Sequence, residues 1–302
     1  MQTIRHFISI KDLSKTEIIQ IFKLTKEIKK NPSKYKGKLN QKTMAMIFEK
    51  PSLRTRVSFE TGMTQMGGHA IYLGPNDIQM GVRETPGDIA RNLERMVDIV
   101  MARVFDHQKL IDLSNKTKVP VINGLSDLEH PCQAMADLMT ILEHKKNFKN
   151  LKIAFVGDCE NNVTHSLALL CHKLDIQFQT SSPKGFEMKK VFADKVREIH
   201  QHFLNPDEAV VNSDVVITDT WVSMGDEREK GKRLKVFPPY QINKQLMNKA
   251  KKDAIFMHCL SAYRGYEVTD EVIDGKQSVV FDEAENRLHV QKAIILFLFD
   301  IH

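Results

Sequence analysis

The chain has 302 residues, which is enough for one large core or for two domains. Its content of 42% hydrophobic and 27% charged residues excludes wholesale disorder, and no apolar run approaches the length of a membrane span. The formal net charge of +6 is dispersed among acidic residues, which favours solvated helix faces with some attraction for anionic substrates. We therefore expect neither a nucleic-acid partner nor a membrane partner.

The cysteines and the first residues indicate a cytoplasmic protein. The segment MQTIRHFISIKDLSK is interrupted by charges and lacks the apolar core of a signal peptide. No C-x-x-C spacing occurs, so reduced thiols fit better than disulfides or a metal site. The four cysteines are Cys132, Cys159, Cys171 and Cys259.

The first half of the sequence alternates helical and strand patterns. Spaced apolar residues predict a helix over residues 13–28, and a short apolar run predicts a buried strand at Thr43–Phe48. An apolar stripe over residues 59–66 predicts the next helix, which two glycines end. Further predictions are strands at His69–Leu73, 97–104 and 119–122, and helices near 88–96 and over 131–144.

A polar stretch at residues 145–150 is typical of a linker, and a second α/β series follows it. The helix of this series is predicted over residues 163–174. Strands are predicted in LKIAFVGD, IQFQTSS, DVVITDTWV, AIFMHC and, last, SVVFD. Apolar strands that alternate with helices imply a parallel, doubly wound sheet, which binds ligands at the carboxyl ends of its strands.

The segment SLRTR (Ser52 to Arg56) falls at a predicted strand-to-helix turn. Successive helical residues are rotated by about 100°, so Arg54 and Arg56 cannot both face one small target. Hydroxyls, backbone N–H groups at a helix start and one arginine suit a phosphate or another compact oxyanion. The alternative is an ordinary helix cap with surface arginines.

The segment EHPCQ predicts a helix start at Pro131, since proline suits the first helical position. His130 and Gln133 would then project from that start. The alternative for an isolated histidine here is a hydrogen bond to the backbone.

The segment VGDCENNVTHS resembles a dinucleotide-binding turn but lacks G-x-G-x-x-G, which argues against NAD or FAD. Asn161 and Asn162 either cap the helix that follows or hold an amino-acid carboxylate.

The segment ITDTWVSMGDE places Asp219 at a strand end, where it suits a cationic amine or serves as a turn residue. Gly225 and the following charges predict a mobile loop that closes over substrate. In FMHCLSAY, Cys259 follows an apolar strand and is either core or a site thiol.

Together these segments resemble the aspartate/ornithine carbamoyltransferase family, on its ornithine branch. The motifs S-x-R-T-R, H-P-x-Q, D-x-x-x-S-M-G and H-C-L occur in the family's order, over nearly the whole chain. The resemblance implies a transferase of α/β class with two domains, each a parallel sheet flanked by helices, and an active site in the cleft between them. It implies a carbamoyl-phosphate domain at 1–145, an ornithine domain at 146–283 and a C-terminal helix at 284–302 that returns to the first domain.

The resemblance also assigns roles to individual residues. Arg103, His130 and Cys259 are implied as catalytic residues, and Arg56 as an ion-pair residue of the fold. The implied ornithine site consists of Asn162, Asp219, Ser223 and Met224. The implied carbamoyl-phosphate site consists of Ser52, Leu53, Arg54, Thr55, Gln79 from a neighbouring subunit, Arg103, His130, Gln133, Cys259, Leu260 and Arg287.

The family uses no metal or organic cofactor and typically forms a homotrimer with active sites at subunit interfaces. The implied reaction is direct attack by the neutral δ-amine of ornithine on carbamoyl phosphate, which gives citrulline and phosphate. The sequence does not decide between arginine synthesis and breakdown.

Two positions depart from the family pattern. Ser261 replaces the proline of H-C-L-P, whose preceding peptide bond is cis in the family, and we predict that the Leu260–Ser261 bond stays cis. Leu53 replaces a commoner threonine, at a position that acts mainly through its backbone.

Four alternatives remain. An aspartate-specific relative would not be expected to contain DTWVSMG or a cysteine after the last strand histidine. Putrescine offers the same attacking amine, but Asp219 and Asn162 favour an amino-acid head. The intact Ser52, Arg54, Thr55, His130 and Gln133 argue against a weakly active carbamoyl-phosphate-binding or regulatory subunit. A nucleotide-binding oxidoreductase lacks its glycine fingerprint.

Overall fold

The computed structural model describes residues 4–223 and 227–301. The chain divides into two compact units. Unit 1 comprises Met1–Ala136 with Glu285–His302, and unit 2 comprises Asp137–Ala284. The predicted domain limits at 145 and 283 stay a prediction.

Unit 1 contains a parallel four-stranded sheet in the order β2-β1-β3-β4. The chain enters this unit beside the sheet, because Phe7 forms an isolated parallel bridge with Ile122. Its strands are β1 (Thr43–Phe48), β2 (His69–Leu73), β3 (Ile99–Arg103) and β4 (Val121–Leu125). Its helices are α1 (Lys15–Lys30), α2 (Pro32–Tyr35), α3 (Leu53–Gln65), α4 (Pro75–Ile78), α5 (Pro86–Leu93) and α6 (His107–Ser114), with a 3-10 turn at Ile10–Asp12.

Local chemistry sets the helix starts in unit 1. Ser14 accepts a hydrogen bond from the Glu17 N–H while the Glu17 carboxylate accepts one from the Ser14 N–H, which forms a capping box for α1. The β1 residues after Thr43 are buried, as expected for an apolar strand inside a parallel sheet.

Unit 2 contains a parallel five-stranded sheet in the order β7-β6-β5-β8-β9. Its strands are β5 (Lys152–Val156), β6 (Gln177–Ser181), β7 (His200–Phe203), β8 (Val215–Thr218) and β9 (Ile255–His258). The helices from α7 onward are α7 (Pro131–Lys145), α8 (Asn162–Leu174), α9 (Lys190–Val196), α10 (Pro206–Val210), α11 (Lys230–Val236), α12 (Lys244–Met247), α13 (Asp270–Ile273) and α14 (Val280–Leu298), with 3-10 turns at Glu227–Glu229 and Pro238–Tyr240. The division between the units falls within α7 and near the start of α14.

Both sheets confirm the predicted fold class of parallel strands flanked by helices. One predicted strand, SVVFD, is wrong. Ser278 makes only an isolated bridge with Phe256, and Val280 already begins α14. A short apolar run does not by itself distinguish a strand from a buried helix, and here Asp282 and Glu283 favour a helix start.

Among the described residues, no helix is both long enough and apolar enough to cross a membrane.

Candidate active site

The SLRTR segment follows β1 and forms the start of α3, as predicted. Ser52 caps α3, and its side-chain oxygen accepts a hydrogen bond from the Thr55 N–H at 3.3 Å. The first N–H groups of the helix and its positive dipole end therefore meet the hydroxyls of Ser52 and Thr55. Thr55 is buried, Arg54 is half-buried and the Leu53 side chain is 74% exposed, which agrees with a role for Leu53 through its backbone.

Two arginines converge on the Thr55 hydroxyl from distant parts of the chain. Arg103, at the end of β3, lies with Nη1 at 3.5 Å from Thr55 Oγ1. Arg287, on α14, places Nη2 at 3.3 Å from the same oxygen and donates from Nη1 to Gln133 Oε1 at 2.5 Å. Both guanidinium groups are buried, so their charges act in a medium that screens them less than water does.

Gln291 completes this group, and the sequence analysis missed it. In the amide orientation that satisfies both ends, its nitrogen donates to Ser58 Oγ at 2.6 Å and its oxygen accepts from Arg287 Nη2 at 3.1 Å. Gln291 lies one helical turn after Arg287, so the i, i+4 spacing on a predicted helix was the available signal. This amide fixes the orientation of the Arg287 guanidinium group.

His130 stands immediately before α7, whose first residue is Pro131 as predicted. Burial lowers the pKa of His130 well below its ordinary value, and the charges of Arg287, Arg103, Lys50 and Arg54 lower it further. The imidazole is therefore neutral at physiological pH and available as a hydrogen-bond donor. Lys50 was missed by the sequence analysis, although its place directly before the SLRTR turn was a usable signal.

Gln79 and Arg56 are the other two residues of unit 1 to which the family resemblance gave a role. Gln79 is exposed and adopts a left-handed backbone conformation at the end of α4. Arg56 forms the ion pair expected of it, with Glu60 at 3.2 Å, and also stacks over the Tyr72 ring at 4.0 Å. Because the Arg56–Glu60 pair is about half exposed, it stabilises the fold only slightly.

The centre of the polar cluster in unit 2 is a buried carboxyl paired with a thiol. The Cys259 thiol donates to Asp219 Oδ1 at 3.1 Å, and the Thr220 N–H donates to the same oxygen at 2.7 Å. Burial raises the pKa of Asp219, whereas its electrostatic interaction with His258 and these hydrogen bonds oppose that shift. Burial and the Asp219 charge also raise the pKa of Cys259 well above its ordinary value, so the thiol stays protonated.

Asn161, and not Asn162, caps α8. The Asn161 side-chain oxygen accepts from the Thr164 N–H at 2.8 Å, and its amide nitrogen lies 3.5 Å from Asp219 Oδ2. Asn162 is half-buried as the first residue of the helix. The half-buried Ser223 follows the Asp219 segment, whereas Met224, Gly225 and Asp226 lie outside the described residues. The charged residues that follow were predicted as part of a mobile loop, and this is wrong for the described part, which forms the 3-10 turn Glu227–Glu229 and helix α11.

The segment after β9 is held by His258 and Glu267, both fully buried. The Leu260 N–H donates to His258 Nδ1 at 2.9 Å, which places the ring proton on Nε2, where it faces Glu267 Oε1 at 3.1 Å. The Tyr263 N–H donates to the same Glu267 oxygen at 2.6 Å. The Leu260–Ser261 bond is cis, which confirms the prediction.

Asp219, His258 and Cys259 also form a group with metal-ligating atoms, which lie within 4.8 Å of one another. A metal ligand set needs a thiolate and a free imidazole nitrogen. Here the raised pKa keeps the thiol protonated, and both ring nitrogens of His258 already have partners. The hydrogen bonds therefore favour a metal-free arrangement of these three residues.

Each unit thus presents one polar group with a distinct charge. Unit 1 brings together Thr55, Arg103, His130, Gln133 and Arg287 beside the α3 helix start. Unit 2 brings together Asp219 and Cys259 beside the α8 start. These features define an α/β protein with a cationic group that suits an oxyanion and an acidic group that suits an amine, each built on a parallel sheet.

Comparison with known proteins identifies the family. The carbamoyl-phosphate-binding domain model of aspartate/ornithine carbamoyltransferase matches residues 5–143, and the Asp/Orn-binding domain model matches residues 149–298. The chain belongs to the aspartate/ornithine carbamoyltransferase family, as the sequence motifs predicted.

Relatives on the ornithine branch match over nearly their whole length. The ornithine carbamoyltransferase of Methanocaldococcus jannaschii is 45% identical, with 98% of this chain and 99% of the relative covered. The solved ornithine carbamoyltransferase of Pyrococcus furiosus is 46% identical, with 97% and 96% covered and a TM-score of 0.92. The anabolic enzyme of Campylobacter jejuni is 42% identical, with 98% and 99% covered and the same TM-score.

Proposed function

We propose that the protein is an ornithine carbamoyltransferase, which transfers the carbamoyl group of carbamoyl phosphate to the δ-amine of L-ornithine. The observation that supports this most directly is the group around Thr55, where two buried arginines and a neutral His130 surround a helix start. Such a group suits an acyl phosphate whose carbonyl oxygen becomes negative during reaction.

Carbamoyl phosphate is assigned to unit 1. Ser52, Arg54, Thr55 and the Leu53 N–H would hold its phosphate, and Arg287 would add a second guanidinium group. Arg103, His130 and Thr55 would donate to the carbamoyl oxygen, while Gln133 and the Leu260 carbonyl would accept from the carbamoyl NH2. The neutral state of His130 supports its role, because a neutral imidazole donates a hydrogen bond without titrating during the reaction.

Ornithine is assigned to unit 2. Asp219 would bind the α-amine, Asn162 the α-carboxylate, and Ser223 and Met224 would line the substrate. Cys259 would lie beside the δ-amine. Because its pKa is raised, the thiol acts as a hydrogen-bonding group and not as a thiolate nucleophile, so no covalent enzyme intermediate is required.

The reaction follows from these placements. The lone pair of the neutral δ-amine forms a C–N bond to the carbamoyl carbon, and the carbonyl electrons move to oxygen. The tetrahedral intermediate collapses as the C–O bond to phosphate breaks, and the amine proton leaves with phosphate or solvent. The protein contributes mainly positioning and stabilisation of the oxyanion.

A homotrimer is part of this proposal, with Gln79 reaching the phosphate of a neighbouring subunit. The exposure of Gln79 supports that role, as do the exposed apolar side chains of Leu53, Val57 and Val82 in the same unit. The expected solution mass is about three times the 34.7 kDa of one chain, which light scattering after gel filtration would measure. A cytoplasmic location and a role in arginine metabolism complete the proposal.

The first test is citrulline formation from carbamoyl phosphate and ornithine, with aspartate and putrescine as parallel acceptors. Turnover with ornithine alone is the expected result and would show that Ser261 is tolerated. Turnover with putrescine at a similar rate would contradict the amino-acid assignment of unit 2. Binding of carbamoyl phosphate without turnover of any amine would favour a binding subunit.

A further inference from the structure

Unit 1 contains a cavity of about 740 Å³ apart from the residues assigned to carbamoyl phosphate. It lies among the end of α1, helix α2, the end of α3 and the last half of α14. Ile28, Tyr35 and Met66 contribute apolar surface, and Lys292 and Gln65 contribute polar groups. This volume lies in the range typical of small-molecule sites.

Lys292 is the unusual member of the cavity wall. Its side chain is 4% exposed, and its Nζ donates to the side-chain oxygen of Gln65. Its stem passes Gly62, where an added Cβ would lie 3.4 Å from Lys292 Cγ, at ordinary contact distance. Within residues 4–223 and 227–301, no carboxylate forms an ion pair with this ammonium group.

Two other buried cations, both in unit 2, are paired with carboxylates. Arg233, 6% exposed at its side chain, binds Asp158 at 2.5 Å, and Lys145, 9% exposed, binds Asp253 at 2.9 Å. A buried ammonium group without a counter-charge is costly. Burial accordingly lowers the pKa of Lys292, with no opposing carboxylate. An anion in the cavity would remove this cost.

We propose that the cavity is a second oxyanion site, which binds a small carboxylate or phosphate that has an apolar or aromatic body. Lys292 Nζ and the Gln65 amide bind the oxyanion, and the apolar wall at Ile28, Tyr35 and Met66 contacts the body. A cationic ligand would be repelled by Lys292 and by Lys36 at the rim, and a wholly apolar ligand would leave the ammonium group uncompensated.

Calorimetric titration tests this proposal with phenyl phosphate, benzoate, inorganic phosphate and phenol as probes. Wild-type protein should bind phenyl phosphate or benzoate more tightly than inorganic phosphate or phenol, and the tighter of the two identifies the oxyanion. Lys292→Met should weaken that binding about tenfold or more, because one charge-assisted hydrogen bond is lost. Lys30→Met, at an exposed lysine outside the cavity, should bind as wild type does.

The carbamoyl-phosphate site also attracts phosphate, so each titration is repeated in Arg54→Gly. Binding that persists in Arg54→Gly and is lost in Lys292→Met supports the second site. Binding that Arg54→Gly abolishes, equal binding by wild type and Lys292→Met, or no binding of either aromatic probe by wild type overturns it. The citrulline assay tests the proposed function separately, so failure of one proposal is distinguishable from failure of the other.

A labelling experiment on wild-type protein covers the case in which Lys292→Met does not fold. Reductive methylation, followed by peptide mass spectrometry, reports the reactivity of each lysine amine. A saturating concentration of the tighter probe should slow methylation of Lys292 at least about fivefold and leave Lys30 unchanged, as expected for a nitrogen that is hydrogen-bonded to the ligand. Unchanged methylation of Lys292 at saturation would overturn the proposal.

Discussion

The polar groups of the two units differ in charge and in how they are held. In unit 1, two buried guanidinium groups share the Thr55 hydroxyl, and side-chain amides fix the orientation of one of them. In unit 2, a single buried carboxyl with a raised pKa is held by one thiol and one backbone N–H. The first group is prearranged for a compact anion, and the second offers one negative charge to a cation.

This difference indicates separate sensitivities for the two substrates. Arginine charges do not titrate in the accessible pH range. Carbamoyl-phosphate binding should therefore depend on the geometry of the group around Thr55 and on the number of cationic side chains in it. The ornithine group depends on a carboxyl and on an amine that both titrate. Substitutions in each unit, and changes of pH, should therefore separate the kinetic parameters of the two substrates.

Arg54→Gly should cause the largest kinetic change, and this change should concern carbamoyl phosphate. Loss of a cation at the α3 start should reduce kcat/KM for carbamoyl phosphate by about a thousandfold, with little change in the KM for ornithine. Steady-state rates with each substrate varied in turn measure both values. Arg56→Gly is the matched control, since Arg56 faces Glu60 and Tyr72 and should leave activity near wild type. Equal losses in the two variants would contradict the assignment of the phosphate to Arg54.

Asp219→Asn should have the next largest effect and should act on the other substrate. Removal of the carboxylate charge should raise the KM for ornithine about a hundredfold and leave the KM for carbamoyl phosphate nearly unchanged. The same steady-state assay gives both constants. Asp207→Asn, at an exposed aspartate that pairs with Lys249, is the control and should leave both KM values unchanged. A similar rise in both constants for Asp219→Asn would show that the division of substrates between units is wrong.

The pH dependence should also separate the substrates. Only the neutral δ-amine attacks, and a lysine-like amine has a pKa of about 10.4. The neutral fraction, and with it kcat/KM for ornithine, should therefore rise about tenfold per pH unit from pH 7 to 9. The lowered pKa of His130 keeps this residue neutral over the same range, so its titration does not change the pH profile of kcat/KM. Initial rates at limiting ornithine and saturating carbamoyl phosphate measure the profile. A flat profile between pH 7 and 9 would refute attack by the neutral amine.

The sequence alone was sufficient where a motif is continuous. The SLRTR and EHPCQ segments each contain a helix start and the polar side chains beside it, so local patterns made Thr55 and His130 candidates, and the family resemblance supplied their implied roles. Gln291 was missed because its role depends on Arg287 and Ser58, which meet only in the folded chain. Lys292 and its cavity were missed for the same reason: an isolated lysine on a helix looks like a surface residue until its burial is known.

The strand predictions succeeded and failed for a physical reason as well. Apolar runs such as that of β1 predicted buried strands, since both faces of a parallel strand are covered. The run SVVFD was assigned to a strand although it begins α14. Strand β7 was not predicted, because its sequence HQHF is largely polar and lies at the sheet edge, where only one neighbour is needed.

That edge strand leads to the smallest effect that we predict. His200 on β7 bonds the Thr180 hydroxyl at 2.8 Å, and burial together with the His202 charge lowers the pKa of His200 to about 4. The unfolded pKa is near 6.5, so the folded state binds fewer protons between these values. The contribution of the neutral His200 to the free energy of unfolding is thus present above pH 6.5. It is lost as pH falls toward 4, by up to about 1 kcal/mol per pH unit.

His200→Gln tests this linkage, because glutamine can keep a hydrogen bond to Thr180 but does not titrate. Urea unfolding of wild type and variant at pH 7.5, 6.5 and 5.5 measures the free energy of unfolding at each pH. The wild type should lose more stability than the variant between pH 6.5 and 5.5, by about 1 kcal/mol, and by only about 0.3 kcal/mol between pH 7.5 and 6.5. Because β7 lies at the edge of its sheet beside β6, this loss should leave citrulline formation by the folded enzyme unchanged. Parallel curves over the whole range would show that His200 has a similar pKa in the folded and unfolded chains.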